Sequence, residues 1–476
     1  MSQTAEAPVR KLFIHTFGCQ MNEADSSRMR EALAGEGYVG TEVPEEADLI
    51  LLNTCAIREK AEAKVLSALG RYRLIRNQRG TRLGVAGCVA QQEKEKLLQR
   101  VPYLDFVLGP DQIASLPSVL AKVSGGQRVT ETGWMDSEEY VFPRAHAESS
   151  RGQVSAFVTV MKGCDNVCSF CVVPHTRGRE VSRAYADVVG EISDLVGVGV
   201  REVTLIGQNV NSYAGGCTFA ELIRRVAAIP DLARIRFTTS HPQDLSPELM
   251  QAFAEVPQLV PHFHLPVQSG SNPVLKRMRR NYTWEEYTAK IDKLRALCPE
   301  IALTSDIIVG FPGETDADFE LTMELIERVR YENLYSFIYS ARPHTSAIRH
   351  EKEWGEVPYE VSVARLERLQ KRQRELTQER HQRLVGEVVE VLVEGESRTD
   401  DSRRMGRTVY NHVVNFEGVA PAGAFARVRI DRASVAALGG VEVDFDPPLI
   451  PVEKPAKARG LLPVISAAPK QGACDA

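Results

Sequence analysis

No excess of positive charge runs through this sequence: 58 Lys and Arg stand against 63 Asp and Glu, a net charge of −5. Binding of nucleic acid by a global basic field is thereby excluded, so any RNA surface must be a local patch. Long apolar runs are missing too. None approaches the roughly 18 residues that a membrane helix needs. The N-terminal stretch MSQTAEAPVRKLFIHTFG lacks the apolar core of a secretory signal. A cytoplasmic protein with no membrane contact is expected. In that compartment thiols stay reduced, so clustered cysteines point to metal or catalysis rather than to disulfides.

What the chain does have is nine cysteines in 476 residues, six of them in two sets. Cys164, Cys168 and Cys171 lie in the stretch MKGCDNVCSFCVVPHTRGR, spaced C-x3-C-x2-C. Three thiolates can wrap one metal centre but leave a position open, whereas four close a structural zinc or iron–sulfur site. Gly163 lets the backbone turn before the first ligand, and Asp165 and Asn166 favour turns. A zinc knuckle with His175 as fourth ligand is the competing reading. Cys19, Cys55 and Cys88 each follow an apolar strand candidate, at Leu12–Thr16, Leu49–Asn53 and Leu83–Ala86, with a helical run after each. In a parallel α/β sheet all carboxyl ends of strands share one edge, so these three cysteines are expected together there, as a second three-thiolate site. Three unrelated small core residues are the alternative. Cys217 and Cys298 are expected to be structural, and Cys474 to lie in a disordered tail.

Strands and helices alternate again from about residue 153. Six strand candidates (Val154–Val160, Arg201–Ile206, Ile235–Thr239, Phe263–Leu265, Ile301–Val309 and Leu334–Tyr339) each end in a polar, Gly- or Pro-containing loop. That is the pattern of a curved (β/α)6 partial barrel with its loops at one mouth. Gly207-Gln208-Asn209 and Gly310–Glu314 are two such loops, readable either as ligand contacts or as tight βα turns. Asp306 lies within an apolar strand and needs a partner if buried. A helical run, Ala364–Arg383, precedes short β-prone segments that suggest a small β-barrel. Two basic groups are candidate RNA contacts: Lys276, Arg277, Arg279 and Arg280 beside the barrel mouth, and Arg403, Arg404 and Arg407 in the otherwise acidic C-terminal module.

The motifs carry a resemblance that covers about residues 10–450. C-x3-C-x2-C resembles the signature of the radical S-adenosylmethionine enzymes, and Phe170 matches the aromatic that this family places before the third cysteine. CSFCVVPHTRGREVSR narrows the likeness to the methylthiotransferase branch. TFGCQMN, NTCAIRE and GCVAQ resemble the N-terminal domain of that branch, and MGRTVYNHVVNF resembles a TRAM domain, an oligonucleotide-binding-like barrel. The resemblance implies two 4Fe-4S clusters, one on Cys164, Cys168 and Cys171 and an auxiliary one on Cys19, Cys55 and Cys88. It implies S-adenosylmethionine beside the first cluster, with Phe170, Gly207, Gln208 and Glu314 as candidate contacts.

The wording CVVPHTRGRE, GQNVNSY, HLPVQSGS and FIYSARP is similar to proteins acting on tRNA that carries N6-dimethylallyladenosine. The implied reaction puts a methylthio group at C2 of that adenine, using two S-adenosylmethionines. Implied partners are the tRNA anticodon stem-loop, a flavodoxin-like electron donor and a sulfur source, with the protein a monomer. Branches acting on a ribosomal-protein aspartate or on threonylcarbamoyladenosine in tRNA are alternatives, as is a non-enzymatic iron–sulfur RNA-binding sensor. The expected domains are an α/β domain at 9–125, a linker at 126–150, the radical core at 151–382, the TRAM barrel at 383–451 and a disordered tail at 452–476.

Overall fold

Leu49–Thr54 shows why the first domain is a sheet covered on both sides. Every residue of this strand is buried, and its continuous apolar run is what a central parallel strand requires. Leu49 and Leu51 pack with Leu12, Ile14, Met29 and Leu33, whereas Ile50 and Leu52 pack with Phe13, Val65, Leu69 and Val85. Alternate side chains thus serve opposite helical layers.

The computed structural model describes residues 9–56, 60–136, 140, 142, 144, 150–397 and 400–450. The expected tail, with Cys474, lies outside them, as does Arg58, where the second helix was expected to start. Contacts divide the chain into an N-terminal unit and a unit that begins at Arg144.

In the first unit six parallel strands, β1 Arg10–Thr16, β2 Tyr38–Gly40, β3 Leu49–Thr54, β4 Arg82–Gly87, β5 Phe106–Leu108 and β6 Val129–Glu131, are ordered β2-β1-β3-β4-β5-β6. The three sequence-predicted strands are the central ones. The short strands β2, β5 and β6 carry too few residues to show a pattern. β6 corrects the expected linker: the sheet extends past residue 125, because Val129 pairs with Phe106.

The second unit opens with the six expected core strands and an unexpected pair. β7 (Ser155–Thr159), β10 (Glu202–Ile206) and β11 (Arg234–Phe237) form one parallel sheet, and β12 (His262–His264), β13 (Ala302–Val309) and β14 (Asn333–Ile338) another. Hydrogen bonds from Ile235 to Gln258 and from Val260 to Ile235 stitch the two together. The unexpected pair is β8 (Met161–Lys162) with β9 (Val181–Ser182), antiparallel and only two residues long.

A long helix, Tyr359–Gln382, follows. Its excess of basic residues is matched across the interface, Arg368 with Glu320 and Arg372 with Glu327. Five strands then close a barrel, β15 (Val388–Glu396), β16 (Arg404–Arg407), β17 (Val413–Glu417), β18 (Phe425–Ala433) and β19 (Leu438–Asp446), in the order β15-β16-β17-β19-β18. None of the described helices is long and apolar enough to cross a membrane.

Polar side chains fasten the barrel to the core. Arg234 donates to the Arg407 carbonyl and pairs with Glu390 at 2.9 Å, and Arg236 donates to the Thr408 carbonyl. Glu332 is the hub. One carboxylate oxygen lies 2.9 Å from His412 Nε2 and 3.6 Å from His381 Nε2, and the other lies 2.7 Å from Arg380 Nε. His381 in turn donates Nδ1–H to the Ser434 carbonyl at 2.7 Å. Burial pushes the Glu332 carboxyl upward, but the two histidine hydrogen bonds and the Arg380 charge outweigh it and hold the group well below its ordinary value of 4.5.

A depressed carboxyl stabilises the folded state fully above its unfolded value and loses that contribution as the pH falls through the folded one. Glu332→Ala removes one partner of a buried charge network and is expected to cost about 3–5 kcal/mol. The loss is read as a lower denaturation midpoint at neutral pH, with the gap to wild type narrowing below pH 4.5.

Candidate active site

The cysteine loop is tied at its base, its middle and its rear. At the base, β8 and β9 pair Met161 with Ser182 and Lys162 with Val181. Gly163 has φ +74°, and a Cβ there would lie 2.0 Å from the Arg179 carbonyl oxygen, so only glycine permits this crossing of strands. Gln208 accepts the Gly163 N–H through its side-chain oxygen, and Cys164 N–H donates to the Gly178 carbonyl at 3.2 Å. In the middle, Ser169 donates its N–H to Met278 and its hydroxyl to Arg277, and accepts from Ala347 N–H at 2.8 Å. At the rear, Phe170 packs against Val274, Met278, Phe311 and Ala347, with Ile308, Tyr339 and Trp354 around them. Gly207 is needed because a Cβ there would stand 2.4 Å from Met161 Cγ.

A buried cation faces the sulfurs. Arg280, 5% exposed, directs Nη1 to Cys168 Sγ at 3.4 Å, Nη2 to the Pro266 carbonyl at 2.7 Å and Nε to Tyr282 Oη at 2.9 Å. His241 Nδ1 accepts from Gln243 N–H, which leaves the proton on Nε2, 3.9 Å from Cys168 Sγ. Burial, with Arg280 and Lys290 adding to it, lowers His241 to about 3, so the imidazole is neutral. Burial pushes the Cys164 thiol up to about 11, and burial with the neighbouring Cys168 pushes Cys171 up to about 12. Sulfurs held this way favour the neutral form unless a metal centre supplies positive charge. Three thiolates on one zinc, at about 2.3 Å each, stand only about 3.8 Å apart. Among the described residues no three cysteines, nor two with His175, bring their ligating atoms within 4.8 Å of one another. The charge demand of these sulfurs is one a bound metal centre meets. His175 is exposed, its ring 5.8 Å from that of His344.

The N-terminal cysteines share one sheet edge. Cys19, Cys55 and Cys88 follow β1, β3 and β4, which are neighbours in register, Thr16 beside Asn53 and Thr54 beside Gly87. Gly18 brings the first two together, since a Cβ there would lie 2.7 Å from Cys55 Cβ. Gly87, at φ +90°, passes so close to β3 that a Cβ would lie 2.5 Å from the Thr54 carbonyl oxygen. Beneath them Asn22 Nδ2 donates to Asn53 Oδ1 and the Thr54 carbonyl, and Asn53 Nδ2 donates to the Asn22 carbonyl and Ser26 Oγ. Sequence reasoning missed this amide pair. Its signal was an asparagine ending the otherwise apolar run LILLN.

Several expected contacts are placed elsewhere. Glu314 does not offer its carboxylate to the mouth: it accepts from Gly310 N–H at 2.7 Å and from Arg365 Nη1 at 2.8 Å, with its side chain 1% exposed. Arg280 is turned inward, as described, and Arg277 donates to the Gly313 carbonyl, so only Lys276 and Arg279 of that run are exposed. Arg403 pairs with Asp400 and Glu417, Arg404 with Glu396, and Arg407 with Glu394. That cluster is therefore compensated by acids on adjoining strands. Asp306 is half-buried with His264 Nε2 at 3.6 Å.

Comparison with known proteins matches three consecutive models: Uncharacterized protein family UPF0004 over residues 11–109, the Radical SAM superfamily over 158–326 and the TRAM domain over 382–440. A tRNA-2-methylthio-N(6)-dimethylallyladenosine synthase of Myxococcus xanthus (strain DK1622) is 62% identical over 436 residues, covering 91% of this chain and 94% of that protein. A protein of the same name from Geobacter metallireducens (strain ATCC 53774 / DSM 7210 / GS-15) is 51% identical, covering 88% and 96%. Among solved structures, the radical S-adenosylmethionine methyltransferase TsrM from Kitasatospora setae shares the fold, with a TM-score of 0.52 at 16% identity over 71% of this chain and 77% of that one. Identity of this depth over nearly the full length, with a radical core between two flanking domains, shows that the chain belongs to the tRNA-2-methylthio-N(6)-dimethylallyladenosine synthase family.

Proposed function

We propose that this chain is an enzyme that replaces the C2 hydrogen of N6-dimethylallyladenosine, beside the anticodon of tRNA, with a methylthio group. The observation that carries the reading is the 62% identity, across 91% of the chain, to a protein named for that product. Cys164, Cys168 and Cys171 would hold one 4Fe-4S cluster, and Cys19, Cys55 and Cys88 the other. When bound with S-adenosylmethionine, the core cluster supplies the one-electron chemistry that an unactivated aromatic C–H requires.

The chain's own residues provide the setting. Gln208, Gly163 and Ser169 fix the cysteine loop, so no ordering is needed when the centre enters. Arg280 and the neutral His241 direct N–H groups toward the Cys168 sulfur and so fix its position. Phe170 shields the rear of the loop, and Gly207 lets the adjoining turn close against Met161. Phe170, Gly207 and Gln208 remain the proposed S-adenosylmethionine contacts. Lys276 and Arg279 are the proposed phosphate contacts near the mouth. The target base must leave its stack to be reached, at a few kcal/mol, a cost that a splayed anticodon loop lowers. A flavodoxin-like reductant and an external sulfur source complete the proposed cycle, with the protein acting as a monomer in the cytoplasm.

Mass spectrometry of tRNA nucleosides from a strain lacking the gene is the direct test. The methylthiolated nucleoside is expected to vanish and its unthiolated precursor to accumulate, with Cys19→Ala and Cys164→Ala each failing to restore it. Persistence of the nucleoside would overturn the substrate reading. Gly163→Ala adds a left-handed penalty of about 1–2 kcal/mol to a steric collision. It is expected to lose the core cluster alone, so that iron per chain falls to about half, measured on anaerobically reconstituted protein.

A further inference from the structure

One wall of the core carries aromatic rings that the fold leaves open. Along β14 Leu334 is buried and packs with Ile338 into the helix-side core. Tyr335 and Phe337, at alternate positions, point to the other face and are 48% and 41% exposed. Register places Asp306 beside Tyr335 and Ile308 beside Phe337 on that face. His264 joins it, its ring 5.9 Å from Tyr335 in an edge-on contact. Further along these strands, Ile308 and Tyr339 pack against the same cluster of Val274, Met278, Phe311 and Ala347 that Phe170 of the cysteine loop packs against. The two open rings therefore stand on the wall that leads to the cysteine loop.

We propose that Tyr335 and Phe337 form the platform that receives the target base, an adenine bearing an apolar N6 substituent. The inference rests on the substrate reading above and deepens it. A purine that leaves its stack recovers stacking only on another π-face, and aromatic side chains supply one. A dimethylallyl group needs apolar surface, which Phe337 and Ile308 provide on the same strands. Nothing else in the core's packing calls for two large rings left over a third exposed, since inward positions of such barrels are ordinarily filled by packed side chains.

The test is binding of anticodon stem-loops carrying N6-dimethylallyladenosine or plain adenosine to the full-length, cluster-loaded protein, followed by fluorescence anisotropy. Wild type is expected to prefer the dimethylallyl loop. Phe337→Ala is expected to reduce that preference by about tenfold or more, and Tyr335→Ala to weaken binding of both loops, with iron content at the wild-type level as a check on folding. Phe337→Leu keeps the apolar bulk and removes the ring. It is expected to weaken binding of both loops, and serves if the alanine variant does not fold. Preference retained in full by Phe337→Ala, or binding of both loops left unchanged by Tyr335→Ala and Phe337→Leu, would overturn this inference alone. A wild type that does not distinguish the loops would overturn the substrate reading and the inference together.

Discussion

The core site depends on the closure of an eighteen-residue loop by two pairs of residues. Met161 with Ser182, and Lys162 with Val181, are all the strand pairing that the loop has. So short a ladder is marginal by itself. It holds because the chain crosses at Gly163, where no side chain fits, and because Gln208 and Ser169 tie the loop to two other parts of the core. The three cysteines project from a segment whose backbone is already fixed.

Charge explains the second layer of the site. Arg280 was read from sequence as one of four bases facing RNA, but it is buried and directed at Cys168. A buried guanidinium needs acceptors for its N–H groups, and the Cys168 sulfur supplies one. The same principle runs in reverse at Glu332, where a buried carboxylate gathers two histidines and an arginine and so fastens the TRAM barrel to the core. Both are polar groups whose burial is tolerable only because their partners come from distant parts of the chain. Each therefore fixes a relation between elements far apart in sequence.

The basic surface is narrower than composition suggests. The helix Tyr359–Gln382 and the barrel arginines spend their charge on acids of neighbouring elements, so the exposed bases beside the core loop are Lys276 and Arg279. A chain of net charge −5 can bind RNA in this way only with a few well-placed cations and a surface for the base itself.

The sequence by itself determined the order of the three domains, the long strands and both cysteine sets. Apolar periodicity and local spacing are enough for these: a run such as LILLN is legible without knowledge of its neighbours, and C-x3-C-x2-C is a pattern confined to eight residues. Tertiary structure alone decided the rest. Strands of two or three residues, such as β6, β8 and β9, have no period to read and exist only because a partner strand is present. Glu314 and Arg280 look like site residues in the sequence, but Arg365, 51 positions away, claims the first, and Cys168, 112 positions away, claims the second. Whether a polar side chain faces a ligand or closes a buried pair is settled by which distant group the fold brings to it, and no local pattern encodes that.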